Sequence, residues 1–273
     1  MATLYIVPTP IGNLEDITLR ALRVLREVHL IAAEDTRTTR KLLARYEITT
    51  PLTSYHEHNK LTKLDAILDA LDRGDVALVS DAGTPGISDP GFELIQEALA
   101  RAIPVVPLPG PSAVTAALVA SGLPTDRFLF VGFLPRKASA LRSALQEVAP
   151  LRATLVAYES PNRLAATLDM ACAVLGDRPA VVARELTKLH EELQRGSLSE
   201  LAAYYRDNPP RGEITLLIGG ALEAADDAPW DEDRVRRALG DRLSRGESRS
   251  AAARAVAEAS GWNRRAVYNL SLD

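Results

Sequence analysis

VALVSDAGTPGISDPG, residues 76–91, runs from a strand-like apolar stretch into twelve residues holding three glycines and two prolines, and the amphipathic segment FELIQEALARA follows at once. The same order recurs on both sides of it. TLYIVPT (3–9) leads through a Pro/Gly turn to DITLRALRVLREV, LIAAED (30–35) to TRTTRKLLARY, and PVVPLPG (104–110) to PSAVTAALVASG. Short β-branched runs alternating with helical periodicity predict βα units around a largely parallel sheet. Helix signals agree. Asp16 stands before the first amphipathic stretch as a cap, and Pro90 sits near the start of the helix after the quoted segment, where its missing N–H costs nothing.

Beyond the loop SGLPTD (121–126) a second series begins: FLFVGFL, a helix over 138–148, ATLVAYES, a helix over 162–175, AVVAREL, ELQRGS, a helix over 199–206 and EITLLIGG. The polar segment TKLHEE joins two strand-like runs as a hairpin, so this sheet is expected to be mixed. The predicted organisation is an α/β lobe over 1–120 and a second over 125–222. After the acidic, small-residue linker ALEAADDAP comes a helical appendage over 230–273. Its helices are expected at 231–244, 248–259 and 263–270, separated by Gly246 and Gly261, with Trp262 and Tyr268 in its core and Arg264 and Arg265 free.

With 47% hydrophobic and 25% charged residues among 273, the chain reads as a globular protein with ample core. Its longest apolar runs are strand-sized, so no membrane span is predicted. MATLYIVPTPIGN lacks a basic start before an apolar stretch, so no signal peptide is expected and the cytoplasm is the expected location. The single cysteine, Cys172, lies in an apolar helical run and reads as packing. Net charge is −4, against a uniformly basic surface, yet residues 234–273 hold nine Arg against four acids. That end is a candidate RNA-facing surface; a solvated basic face reads equally well.

Three Gly/Pro turns follow strands in the first lobe: VPTPIGN (7–13), SDAGTPGISDPG (80–91) and PLPGPSA (107–113). Ligands of parallel α/β sheets collect at the carboxyl ends of strands, where loops without bulky side chains let backbone approach closely. Each turn alone also fits a plain connector; three in one lobe point to a pocket. Neither GxGxxG after the first strand nor GxxxxGK[ST] occurs, which excludes a Rossmann fingerprint and a P-loop.

VPTPIGNLEDITLRAL, AAEDTRTTRKLL, SYHEHN, VSDAGTPGISDPG, PLPGPSAVTAALVASG, FVGFLPRK, YESPNRL, ARELTKLHEE and GEITLLIGG, in this order, resemble the tetrapyrrole methylase superfamily (class III methyltransferases), and within it the branch that acts on small-subunit ribosomal RNA. The resemblance spans about residues 3–220. It implies two α/β lobes with S-adenosylmethionine in the cleft between them, 2′-O-methylation of a decoding-site cytidine of 16S rRNA in the small ribosomal subunit, and a homodimer. Carried over motif by motif, the donor's neighbours are Asp81, Gly83, Thr84, Ile87, Ser112, Ala113, Phe133, Tyr158, Glu213, Ile214 and Thr215. Pro8 and Gly12 are expected to wall the active centre.

A sulfonium methyl is already activated, so alignment and exclusion of water account for much of such a reaction. A ribose hydroxyl still benefits from a base, for which Glu34, His56 and Lys188 are the candidates. Asp35, Arg37, His58, Asn59, Arg136, Lys137, Arg163, Arg264 and Arg265 are candidate RNA contacts. Bland readings stand beside these. Glu34 to Arg37 also fits a helix N-terminus with Thr36 as cap, Arg136 and Lys137 fit helix-start surface charges, and Arg184 and Glu185 fit ion pairing with each other or across a dimer. His56-Glu57-His58 supplies too few ligands for a metal. Two rival functions remain: methylation of a small tetrapyrrole, whose enzymes usually carry a GxGPG-like first turn that PTPIGN does not match, and a non-catalytic ribosome-binding module, in which degraded turns would be expected.

Overall fold

The computed structural model describes residues 2–57, 59–221 and 230–271, so the candidate His58 lies outside the described residues. The chain divides into two compact units, Met1–Ala221 and Leu222–Asp273. In the first unit, β1 (Leu4–Ile6), β2 (Leu30–Ala33), β3 (Leu52–Ser54), β4 (Val76–Val79) and β5 (Val105–Pro107) form a sheet of order β3-β2-β4-β1-β5. Every pairing in it is parallel. The connecting helices are α1 (Leu19–Glu27), α2 (Thr36–Arg45), α3 (Lys60–Leu71) and α4 (Phe92–Ala100).

Strand alternation sends side chains to two helix layers. Ile31, Ala33, Ala77 and Val79 pack with Leu22, Leu25, Leu42 and Leu43. Ala32, Val76 and Leu78 pack with Ile67, Leu68, Leu94 and Ala98 on the other face. Covering both faces is why VALV is apolar without interruption. Each fully buried leucine here contributes about 2 kcal/mol. The first helix starts later than Asp16 suggests: Asp16 closes a 3-10 turn over Leu14–Asp16, and Thr18 caps α1 by accepting from the Ala21 N–H at 3.0 Å.

The second sheet has the order β6-β7-β10-β8-β9, built from β6 (Phe128–Phe133), β7 (Thr154–Glu159), β8 (Pro179–Arg184), β9 (Glu192–Ser197) and β10 (Ile214–Ile218). It is mixed: β6 runs parallel to β7, and the other pairings are antiparallel, including the β8–β9 hairpin. Helices α6 (Ala138–Val148), α7 (Leu164–Leu175) and α8 (Leu198–Asp207) cover one face through Leu141, Leu145, Leu164, Leu168 and Leu201. The opposite face, Val156, Val181, Ala183 and Leu217, receives Val114, Ala117 and Leu118 of α5 (Ala113–Ser121), together with Ile11. Thus α5 follows a strand of the first sheet but packs on the second, which accounts for a helix almost without polar residues.

The second unit holds α9 (Glu232–Ser244), α10 (Arg249–Ser260) and α11 (Arg264–Leu270). Asp231, Ser248 and Asn263 cap them, and Gly261 in a left-handed conformation ends α10. Val235, Leu239, Ala252, Val256 and Val267 form its core, with Trp262 packed alongside and donating to the Trp230 carbonyl at 2.7 Å. Two expectations fail here. Tyr268 lies on the surface, 39% exposed, outside the core that Val235, Leu239, Ala252, Ala253, Val256 and Val267 form. Arg264 is not free; its guanidinium donates to Ser250 Oγ at 3.2 Å. No described helix is long and apolar enough to cross a membrane.

Candidate active site

Because β4, β1 and β5 are neighbours, the three Gly/Pro turns leave the sheet side by side. Thr9 and Gly83 exchange backbone hydrogen bonds, 2.9 Å each way, and Thr9 Oγ1 donates to the Ser80 carbonyl at 3.0 Å. Thr84 Oγ1 donates to the Pro111 carbonyl at 3.4 Å. At Gly110 a Cβ would stand 2.7 Å from Pro8 Cβ, so glycine lets the first and third turns touch. Pro8 itself is buried and serves as packing beneath the turns.

Between these turns and the second sheet lies a cavity of about 360 Å³. Gly83, Thr84, Ile87, Ser112, Ala113, Phe133, Tyr158, Glu213, Ile214 and Thr215 line it, every donor-binding candidate except Asp81. Asp81 points elsewhere, accepting from the Asp35 N–H at 3.0 Å, while the Asp81 N–H donates to Glu34 at 3.3 Å. A bulge in β6 between Phe130 and Phe133, with Gly132 at φ +66°, re-aims Phe133 toward the cavity, where it lies 5.4 Å from the Tyr158 ring. The lining also includes Ser88, Asp89 and Glu159, which the sequence reading did not assign to the donor.

The acids around this cavity differ sharply in their surroundings. Burial first, then the charges of Glu34 and Asp81, push Asp89 up to about 7. Burial also raises Glu34 and Asp81. Burial first, then Asp89 and Glu213, raise the Tyr158 phenol. Across the cavity, Glu159 is fully buried but satisfied: it accepts from Thr167 Oγ1 at 2.7 Å and the Ser160 N–H at 2.6 Å, and pairs with Arg163 at 3.4 Å. Glu185 is held below its ordinary value by Lys188 and the Glu213 N–H.

None of the three base candidates lines the cavity. Lys188 donates to Glu185 at 2.8 Å and Glu213 at 3.0 Å. Burial disfavours its charge, but the two carboxylates more than offset this and raise its pKa, so it stays an ammonium with no lone pair. The role left to it is electrostatic. Beside it, Thr187 at φ +64° and Glu185 at φ +50° mark a strained loop, stitched to the first turn by Asn13 N–H donating to Thr187 Oγ1 at 3.2 Å. A Cβ on Gly12 would collide with Lys188 and come within 2.9 Å of Thr187 Oγ1. Glu34 sits beside Asp81 at the end of β2. The His56 N–H donates to Asn59 Oδ1 at 2.8 Å, and Asn59 in turn donates to Ser54 Oγ at 3.0 Å.

The RNA-contact candidates separate likewise. Asp35, not Thr36, caps α2, accepting from the Arg37 N–H at 2.8 Å; pairing with Arg37 lowers it to about 2. Arg37 remains 85% exposed, and Arg136 and Lys137 are also exposed beside β6. Arg163 is committed internally, donating to the Pro135 carbonyl at 2.7 Å and the Leu134 carbonyl at 3.2 Å, which pins the FLPRK loop to α7. Arg184 pairs with Glu192 at 2.8 Å rather than with Glu185.

A model of the Tetrapyrrole (Corrin/Porphyrin) Methylases matches residues 3–202, and the chain belongs to this family. A solved cobalt precorrin-4 methyltransferase, 19% identical, superimposes with a TM-score of 0.62 over 81% of this chain and 96% of that one, which shows the shared fold. Within the family, the chain is 48% identical to a protein of Synechocystis sp. over 276 residues, covering 100% of this chain and 98% of the relative. It is 46% identical to one of Halalkalibacterium halodurans, covering 98% and 94%. Both relatives are named ribosomal RNA small subunit methyltransferase I.

Proposed function

We propose that this chain transfers a methyl group from S-adenosylmethionine to the 2′-hydroxyl of a decoding-site cytidine in 16S rRNA of the small ribosomal subunit. The residue types that line the cavity carry the reading. Among its described lining residues are Asp89, Glu159 and Glu213 and no Lys, Arg or His. Such a lining favours a cationic sulfonium over an anion. Glycine backbone at Gly83, hydroxyls of Thr84 and Ser112, the aromatic rings of Phe133 and Tyr158, and the polar start of β10 offer the few placed groups that a nucleoside with an amino-acid tail requires. The donor supplies the activated methyl. The protein's part is to orient the acceptor, exclude water and accept a proton.

Arg37, Arg136 and Lys137 supply exposed cations for phosphate, and the arginines of α9 to α11 supply more. The α10–α11 pair, joined through Gly261, Trp262 and Asn263, has the short glycine-containing turn of helix-turn-helix motifs. The resemblance extends the reading to a cytoplasmic homodimer, which light scattering checks. The decisive experiment incubates the protein and labelled donor with small subunits lacking the modification, then maps the label. Label on a cytidine ribose is expected; label on a porphyrinoid and none on RNA overturns the reading. Replacing Arg265 by Ala should weaken subunit binding and reduce the salt slope by about 1, leaving donor affinity unchanged.

A further inference from the structure

Of the titratable side chains lining the cavity, three are committed elsewhere. Glu159 is saturated by Thr167, Ser160 and Arg163. Glu213 is 74% exposed and paired with Lys188. Tyr158 is a phenol whose proton is held more tightly than usual. Asp89 remains. It lies between Ser88, at φ +62°, and the Pro90-Gly91 entry to α4, so the turn holds its carboxylate in the cavity wall.

We propose that Asp89 is the group that takes the proton from the methyl-accepting hydroxyl. This rests on the reading of the site as a ribose methyltransferase. As the oxygen–methyl bond forms and the sulfur–methyl bond breaks, the hydroxyl proton passes to the Asp89 carboxylate, and it leaves to water after product departs. The charged and titratable groups facing Asp89 are Glu34 at the end of β2, Asp81 at the end of β4 and Tyr158 on β7. Burial first, then the charges of Glu34 and Asp81, raise its proton affinity into the neutral range, where a general base is half-ready at physiological pH. Glu34, itself proposed from the sequence as the base, thereby acts through Asp89 as a positioning charge.

The test measures single-turnover methyl transfer from about pH 5.5 to about pH 9 for the wild type, Asp89→Asn and Asp89→Glu. Donor affinity is measured by calorimetry, and the Asp89 carboxyl is titrated by NMR in protein without donor. The wild-type rate should rise with pH and level off above about 7, matching the carboxyl titration. Asp89→Asn should lose on the order of 10²-fold or more and the pH limb with it. Asp89→Glu should regain the limb and part of the rate, and in both variants donor affinity should change far less than the Asp89→Asn rate does. An Asp89→Asn enzyme that keeps its rate and pH limb overturns the proposal, as does a fall in donor affinity equal to the fall in rate. Absence of transfer by the wild type defeats the methyltransferase reading itself, an outcome distinct from an unimpaired variant.

Discussion

The carboxylates in and behind the two walls of the cavity handle negative charge in opposite ways. On the first sheet's side, Glu34, Asp81 and Asp89 crowd the ends of β2 and β4, and the proton affinity of each is raised. On the second sheet's side, Glu159, Glu185 and Glu213 each meet a cation, Arg163 or Lys188. Paired carboxylates hold geometry, because moving either partner strands a charge. Unpaired, half-buried carboxylates hold protons instead, since burial is relieved by neutralisation. One wall is therefore suited to shape and the other to proton transfer.

The contrast breaks most severely at Glu159, whose side chain is 0% exposed. Arg163→Ala leaves that carboxylate with two hydrogen bonds and no countercharge, and releases the carbonyls of Leu134 and Pro135. A loss of about 3 kcal/mol in denaturant unfolding is expected, the lower end for a broken buried pair because Thr167 and Ser160 remain. A loss below about 1 kcal/mol would place Glu159 among the unpaired acids. Lys188→Met comes next, at no more than about 1 kcal/mol, since solvent reaches this pair. Glu185 is lowered, so its contribution is present above the ordinary carboxylate range and is lost as pH falls through its folded value. The variant and wild type should therefore melt together in acid and separate near neutrality.

Local pattern carried the architecture. VALV between polar flanks, the Gly/Pro turns and the TKLHEE hairpin each depend on residues within a few positions, and each shows in the sequence. What escaped depends on distant partners. Helix α5 reads like its predecessors, yet its partners, Val156, Val181 and Leu217, are strands that come later in the chain. Asp89 reads as a turn former before Pro90; its burial beside Glu34 arises only when β2 and β4 become neighbours. Asp81, eight residues earlier in the same motif, looks equivalent on paper but bonds to Asp35 instead of facing the cavity. Lys188 fails as a base for the same reason, because its two carboxylate partners lie three and twenty-five residues away.

The smallest expected effect tests the acidic wall directly. Asp89 has a folded-state pKa of about 7, raised from an ordinary carboxylate value of 3.8. Between those values the folded protein holds a proton that the unfolded chain has released, so stability falls as pH rises through that window. Below it the two states are protonated alike, and above about 7 the folded state carries the full cost of a buried charge. Asp89→Asn removes the cost. Its melting temperature should match the wild type's near pH 4 and exceed it at pH 8, by less than about 1 kcal/mol, roughly 2 °C, because solvent screens a half-buried carboxylate. A variant that loses methyl transfer while gaining stability at pH 8 would show a charge kept for chemistry at the expense of the fold. Equal melting at both pH values would instead mean that Asp89 is ionised as freely in the folded protein as in the unfolded chain, and the two walls would then differ in geometry alone.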